Sequence, residues 1–194
     1  MAIYGQFQMP FGPVAAALNN AGRLMRLVFL DGQAPGKEQC NGEDRNDVVF
    51  SEVKTQIDDF FHGRRTKFDL GLAPPGTDFQ QNVWAALTTI PIGETRTYGE
   101  LARALGIPGG ARAVGRANAT NPIALIIPCH RVIGANGSLT GYAGGLDIKR
   151  QLLAFEQSQK SNLKQADLAE ETGWQSIVSA ILTSTASANS TRAR

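Results

Sequence analysis

Cysteine and histidine are scarce in this chain, with two of each (Cys40, Cys129, His62 and His130) among 194 residues. Cys129 and His130 are neighbours, but Cys40 and His62 stand far from them, so no metal-ligand spacing exists and no metal is expected. Cys40 sits in a polar loop and Cys129 behind an apolar run, and two such thiols do not make a disulfide framework. No apolar run approaches the roughly 20 residues needed to cross a bilayer. The N-terminus also lacks the basic-then-apolar order of a secretory signal. Neither a P-loop nor a dinucleotide glycine spacing is present, and no cofactor is expected. These absences point to an intracellular, cytoplasmic protein without membrane association. With 42% hydrophobic and 19% charged residues the composition is that of an ordinary globular chain, long enough for one large domain or two small ones.

Charge is distributed unevenly. Residues 1–78 hold eight Lys/Arg against ten Asp/Glu, residues 79–156 hold seven against four, and residues 157–194 hold four against three. The basic excess falls in the middle third, a mild indication of a polyanionic partner.

The first third reads as a small sheet with one helix. Val14–Leu18 and Leu24–Leu30 form a hairpin about Asn19-Asn20-Ala21-Gly22, and the polar stretch Asp31–Asp47 is a loop. Val49, Val53, Ile57 and Phe60 or Phe61 recur at helical spacing, which predicts a helix over Asp47–Phe61. Phe68, Leu70 and Leu72 alternate and predict a third strand, ended by Ala73-Pro74-Pro75-Gly76 as a domain boundary. His62 is a helix-end residue and no chemistry is expected in this part.

The middle third is helical. Asp78 caps a helix with Phe79, Val83, Leu87 and Ile90 on one face. Thr97-Tyr98-Gly99-Glu100 is a capping box opening a second helix, and Ala111 to about Asn118 follows Gly109-Gly110 as a third. Two short helices joined by a glycine-containing turn have the outline of a helix-turn-helix. Arg112 and Arg116 stand four apart among Ala111, Ala113, Gly115 and Ala117, so the backbone could approach a narrow groove closely. The apolar run Ile123–Ile127 predicts a buried strand that Pro128 must end, delivering Cys129 and His130 to a pocket. A neighbouring imidazole raises the thiolate fraction of such a cysteine. The default for a buried cysteine is structural packing, but a Cys-His-Arg cluster at the end of an apolar strand argues for a nucleophile. Thr140-Gly141-Tyr142-Ala143-Gly144-Gly145 suits a mobile binding loop with a stacking tyrosine. In the last helix Ile148, Leu152 and Phe155 face inward. Glu156 falls beside them, either as a solvated carboxylate or as the group that orients His130. Lys164–Leu182 carries a weak amphipathic pattern, and Thr183–Arg194 is expected to be disordered.

Taken in order, several of these motifs resemble the O6-alkylguanine–DNA alkyltransferases (methylated-DNA–protein-cysteine methyltransferases). They are Phe79-Gln80, Val83-Trp84, Thr97-Tyr98-Gly99-Glu100, Arg112-Ala113-Val114-Gly115, Asn121-Pro122-Ile123, Ile127-Pro128-Cys129-His130-Arg131-Val132-Ile133-Gly134 and Gly141-Tyr142-Ala143-Gly144-Gly145. The match is dense over about residues 76–156. The implied fold is mixed α/β (α+β), with a small RNase H-like sheet-and-helix domain (1–75). A mostly helical domain (76–157) with a helix-turn-helix and a short active-site strand follows, and then a partly disordered extension (158–194).

The implied activity is direct-reversal DNA repair. The alkyl group of O6-alkylguanine, and of O4-alkylthymine, passes irreversibly to Cys129 after the base is flipped out, and the protein is consumed. The resemblance implies that His130 draws the thiol proton through a water while Glu156 orients it. It also implies that Tyr98 donates to guanine N3 and that Asn121 braces the turn before the cysteine. Tyr142 would wall the pocket, the Ala143 N–H would reach O6, and the Val132 carbonyl would accept the exocyclic amine. Arg112 would fill the space left by the flipped nucleotide, with Ala111 and Arg116 facing DNA. A monomer on the minor groove and phosphates of double-stranded DNA is expected. Two other readings are a lesion-binding protein without transfer activity, which the presence of Cys129 disfavours, and a Cys-His-Glu thiol hydrolase, which leaves the paired arginines unexplained.

Overall fold

The computed structural model describes residues 2–30 and 48–162. The expected loop at Asp31–Asp47 with Cys40, the segment Lys164–Leu182 and the tail beyond it lie outside the described residues. The chain begins with β1 (Ile3–Met9), β2 (Gly12–Leu18) and β3 (Leu24–Phe29), an antiparallel sheet in that order. The expected hairpin is β2–β3, paired from Val14 opposite Phe29 to Leu18 opposite Leu24. The additional strand β1 follows a period of two that the sequence carries openly. Tyr4, Gln6 and Gln8 are exposed, whereas Ile3, Gly5, Phe7 and Met9 turn towards the protein.

Helix α1 (Ser51–Phe61) buries Val53, Gln56, Ile57 and Phe60 against the sheet. The strand expected at Phe68–Leu72 is not formed, for two reasons. The Gln56 side chain takes over the backbone of Asp69, donating to its carbonyl and accepting from its N–H, both at 2.8 Å. Further along, the free edge of β3 is divided between two segments. Leu24 bridges Leu72, whereas Leu27 bridges Ile123, so neither neighbour can extend into a ladder. Leu27 donates to the Pro122 carbonyl at 2.9 Å and accepts from the Ala124 N–H at 2.7 Å. The edge of the N-terminal sheet is thereby fastened directly to the chain that leads to Cys129.

Helix α2 (Asp78–Thr88) is capped by Thr77 rather than Asp78. The Thr77 hydroxyl accepts from the Gln80 N–H and the Gln80 side chain accepts from the Thr77 N–H, a reciprocal cap that satisfies two otherwise orphaned donors. Phe79, expected inward, is exposed, and Val83, Trp84 and Leu87 carry the buried face. The Trp84 indole N–H donates to the Ala117 carbonyl at 2.9 Å, locking α2 to the helix that carries Ala117. After β4 (Arg96–Thr97), the capping box of Thr97 and Glu100 opens α3 (Tyr98–Ala104), and α4 (Ala111–Ala119) completes the helix-turn-helix. A last helix, α5, is described over 146–162.

An aromatic cluster joins the two halves. Phe155 of α5 packs on Phe60 at 5.6 Å, on Phe61 at 5.2 Å and on Phe11 at 6.4 Å between ring centroids. Fully burying a ring, as at Phe60, is worth about 1.5–3 kcal/mol, and with Phe11, Phe61 and Phe155 partly buried around it the cluster anchors α5 one residue before Glu156. No helix among the described residues is long and apolar enough to cross a membrane.

Candidate active site

The run Ile123–Ile127, expected as a strand, is a chain of tight turns apart from the single bridge at Ile123. Asn121 explains why. Its amide nitrogen donates to the carbonyls of Ile127 (2.8 Å) and Ile123 (3.3 Å), and its oxygen accepts from the Ile123 N–H (3.0 Å). Folding both ends of the run onto one side chain forces a reversal between them, and Leu125 takes a left-handed backbone (φ 68°) to make it. That conformation costs a non-glycine residue roughly 1–2 kcal/mol. Burial of the apolar side chains on every side offsets it. The strand associated with the site lies after the cysteine: β5 (Val132–Ile133) pairs in parallel with Arg96–Thr97. A 3₁₀ turn over Cys129–Arg131 links the two pieces. Cys129 is thus held from behind by the Asn121 clamp and from ahead by the strand that leads into α3.

Behind the cysteine is a buried ionic group. Glu156, fully buried, accepts from His130 Nε2 at 2.8 Å and from Arg131 through two parallel bonds, Nε to Oε2 and Nη2 to Oε1, each 2.8 Å. The Gly93 N–H adds a longer contact at 3.3 Å, and the remaining guanidinium nitrogen Nη1 donates to the Ile90 carbonyl. Burial works to raise the Glu156 pKa. Hydrogen bonds from His130 and Arg131, with the guanidinium charge, outweigh it, leaving the value at about 2. A carboxylate can only accept, so Nε2 of His130 carries the imidazole proton and Nδ1 carries the lone pair. Nδ1 is buried with no hydrogen-bond partner among the described residues. Burial lowers the His130 pKa against the pull of Glu156, so the ring is neutral at neutral pH.

The cysteine differs from the expectation of an enlarged thiolate fraction. Burial pushes its pKa up, opposed in part by a hydrogen bond from Asn121 and by the charge of Lys149. The resting group is a thiol, beside a neutral base whose tautomer an ionised carboxylate fixes.

Lys149 is a site residue that the sequence reading passed over. Fully buried, it donates from Nζ to the carbonyls of Val132 (2.7 Å) and Thr140 (2.8 Å), joining the strand after the cysteine to the base of the glycine-rich loop. A signal existed: Lys149, Leu152 and Glu156 are spaced as one helical face, so a cation and an anion share the inward stripe of α5. In the sequence Arg131 stands out only as part of a charged cluster, and its two-pronged hold on Glu156 has no local signature.

The remaining expected residues divide into those at the cysteine and those on the outer surface. Tyr142 stands edge-on to His130 (6.4 Å between centroids), and its hydroxyl is buried without a partner among the described residues. Its pKa is raised well above the usual value by burial, helped by the Glu156 carboxylate and, once it ionises, by the Cys129 thiolate. Tyr142, Ala143 and Asn121 line a cavity of about 30 Å³ together with Cys129, Val28, Phe29 and Gly144. The Val132 carbonyl is held by Lys149. Tyr98, at the start of α3, meets the Thr140 hydroxyl through its own oxygen at 3.2 Å. Arg112 and Arg116 are exposed and Ala111 half-buried on α4, where Gly115 leaves room beside the Tyr98 ring.

Comparison with known proteins gives one consistent result. Residues 78–158 match the DNA-binding domain of 6-O-methylguanine DNA methyltransferase, and residues 2–74 match its ribonuclease-like domain. A methylated-DNA–protein-cysteine methyltransferase of Methanosarcina acetivorans is 50% identical over 158 residues, covering 80% of this chain and 98% of that protein. The protein of that name in Mycobacterium bovis is 60% identical over 111 residues, 57% of this chain and 67% of its own length. The crystal structure of Mycobacterium tuberculosis OGT in complex with DNA superposes with a TM-score of 0.70 at 46% identity, over 80% of this chain and 93% of that one.

Proposed function

This chain belongs to the 6-O-methylguanine DNA methyltransferase family, and on that premise we propose that Cys129 is the acceptor in its DNA-repair reaction, served by His130 and Glu156. The protein is a methylated-DNA–protein-cysteine methyltransferase: it transfers an alkyl group from DNA to a cysteine of its own, and DNA is its partner. The observation that carries the assignment is the fixed tautomer of His130, whose lone-pair nitrogen is buried and free to take a proton beside a cysteine that shares a cavity with the glycine-rich loop.

In the proposed step the thiol proton moves through a water to Nδ1 of His130 while the sulfur attacks the alkyl carbon. The S–C bond forms as the C–O6 bond breaks, and the electron pair goes to O6 and the guanine ring. Guanine leaves readily only if donors meet that charge. We assign this to the Tyr98 hydroxyl and the Ala143 N–H, Tyr98 after exchanging Thr140 for the base. Glu156, ionised and tied to Arg131, stabilises the imidazolium that forms. Since the S-alkyl cysteine has no route back, each molecule acts once.

DNA with a labelled O6-methyl group is expected to leave no more than one methyl per protein, recovered on the peptide containing Cys129, and none in Cys129→Ala. Multiple turnover, or label retained by the variant, would overturn the assignment. The exposed face of α4 is proposed to enter the minor groove as a monomer, with Ala111 and Arg116 against the backbone and Arg112 in the stack. Such an interface reads phosphates more than bases, as suits lesions that arise anywhere. A cytoplasmic location fits these roles. Arg112→Ala is expected to lower duplex binding and repair roughly tenfold, with a smaller loss on free O6-benzylguanine, measured as single-turnover rates. Equal losses on both substrates would contradict a role in flipping.

A further inference from the structure

We propose that Phe29, on the last residue of β3 in the N-terminal sheet, determines how large an alkyl group the acceptor cavity admits. The proposal rests on Cys129 being the acceptor and concerns which adducts reach it. The edge of β3 is hydrogen-bonded through Leu27 to Pro122 and Ala124, so this strand is in fixed register with the cysteine turn. The next two residues, Val28 and Phe29, line the same cavity as Cys129. A half of the protein with no chemistry of its own therefore supplies one wall of the site.

The walls differ in what they can yield. Asn121 is committed to three hydrogen bonds, and Ala119 and Ala124 have little to remove. Tyr142 belongs to the loop that must lift to admit a purine. Phe29 is the bulky side chain on the fixed side, almost fully buried. Its ring lies 6.4 Å from that of Tyr142, and a Cβ placed on Gly144 would come within 3.0 Å of it, so the closed loop rests on this ring. The cavity beside the sulfur measures about 30 Å³, two to three times the roughly 10–15 Å³ that a single water needs on the same measure. When the S–C bond forms and the C–O6 bond breaks, everything beyond the transferred carbon must sit beside the sulfur. A methyl group fits that space, and a longer chain meets the Phe29 ring. Phe29 touches no proton in the step, so it acts on specificity and not on the chemistry.

The test compares single-turnover transfer from duplex DNA carrying O6-methylguanine or O6-butylguanine, in the full-length protein and in Phe29→Ala and Phe29→Leu. The butyl-to-methyl rate ratio is expected to rise at least tenfold in Phe29→Ala, with Phe29→Leu between it and the parent. A purely structural role for this core residue would slow both substrates together. A ratio within twofold of the parent in both variants overturns the proposal. Phe29→Leu keeps most of the packing and gives the reading if the alanine variant does not fold. Absence of methyl capture on Cys129 in the parent protein would instead refute the acceptor assignment, so the two failures are distinguishable.

Discussion

Glu156→Ala is expected to destabilise the fold by about 3–5 kcal/mol, because it leaves the buried Arg131 guanidinium with no counter-charge. The carboxylate receives both prongs of Arg131 and the proton-bearing nitrogen of His130, all out of contact with water. The same group makes stability depend on pH in a defined direction. Its pKa falls from the ordinary 4.5 to about 2 on folding, so the unfolded chain binds the proton first as pH drops. The contribution is complete above about 4.5 and is lost as pH falls through about 2, amounting to about 3 kcal/mol at 1.36 kcal/mol per unit. His130 acts in the same direction and earlier. Burial lowers its folded pKa, so the unfolded chain gains a proton below about 6.5 that the folded one refuses. Urea unfolding followed from pH 7 to pH 3 is therefore expected to weaken in two stages in the parent protein, with the lower stage missing in Glu156→Ala. A variant within about 1 kcal/mol of the parent at pH 7 would show that Arg131 is satisfied elsewhere.

His130→Ala is expected to slow methyl transfer by about 10²–10⁴-fold at neutral pH, the usual range for losing a positioned base. The pH profile is more discriminating than the magnitude. On the proposed mechanism a neutral imidazole removes the proton during the step in the parent protein. The rate should then be level through neutral pH and fall only in acid, below the usual histidine range, because the His130 pKa is lowered. In the variant the only route is the free thiolate. Since burial raises the Cys129 pKa, the rate should climb about tenfold per pH unit through the alkaline range. Stopped-quench transfer assays from pH 6 to pH 9 measure both. A level profile in the variant would mean that another group takes the proton.

The chemistry at this site was more legible than the backbone that carries it. Cys129 and His130 are adjacent in sequence, and the stripe of α5 pointed Glu156 inward, so these three could be grouped before any coordinates. Their protonation was not legible. Burial decides it for Cys129, and no local pattern measures burial. Ile123–Ile127 reads as a strand because every side chain is buried, yet an amide one residue upstream of Pro122 folds it into turns. A side chain competing for backbone groups has no periodicity to detect. The same competition, by Gln56 at Asp69, removed the strand expected at Phe68–Leu72. By contrast the capping box at Thr97–Glu100 and the alternation of β1 were written locally, the latter in polar and apolar residues from Ile3 to Met9.

A reagent consumed by its single reaction must wait intact until a lesion arrives, among peroxides, disulfides and stray electrophiles that all attack thiolates. The protonated, buried state of Cys129 answers that requirement. Its sulfur is a poor target for oxidant or disulfide while the loop rests on Phe29, and the base that can activate it faces inward. On the proposed mechanism shelf life and reactivity thus come from one arrangement, with arrival of the flipped base as the event that turns the first into the second.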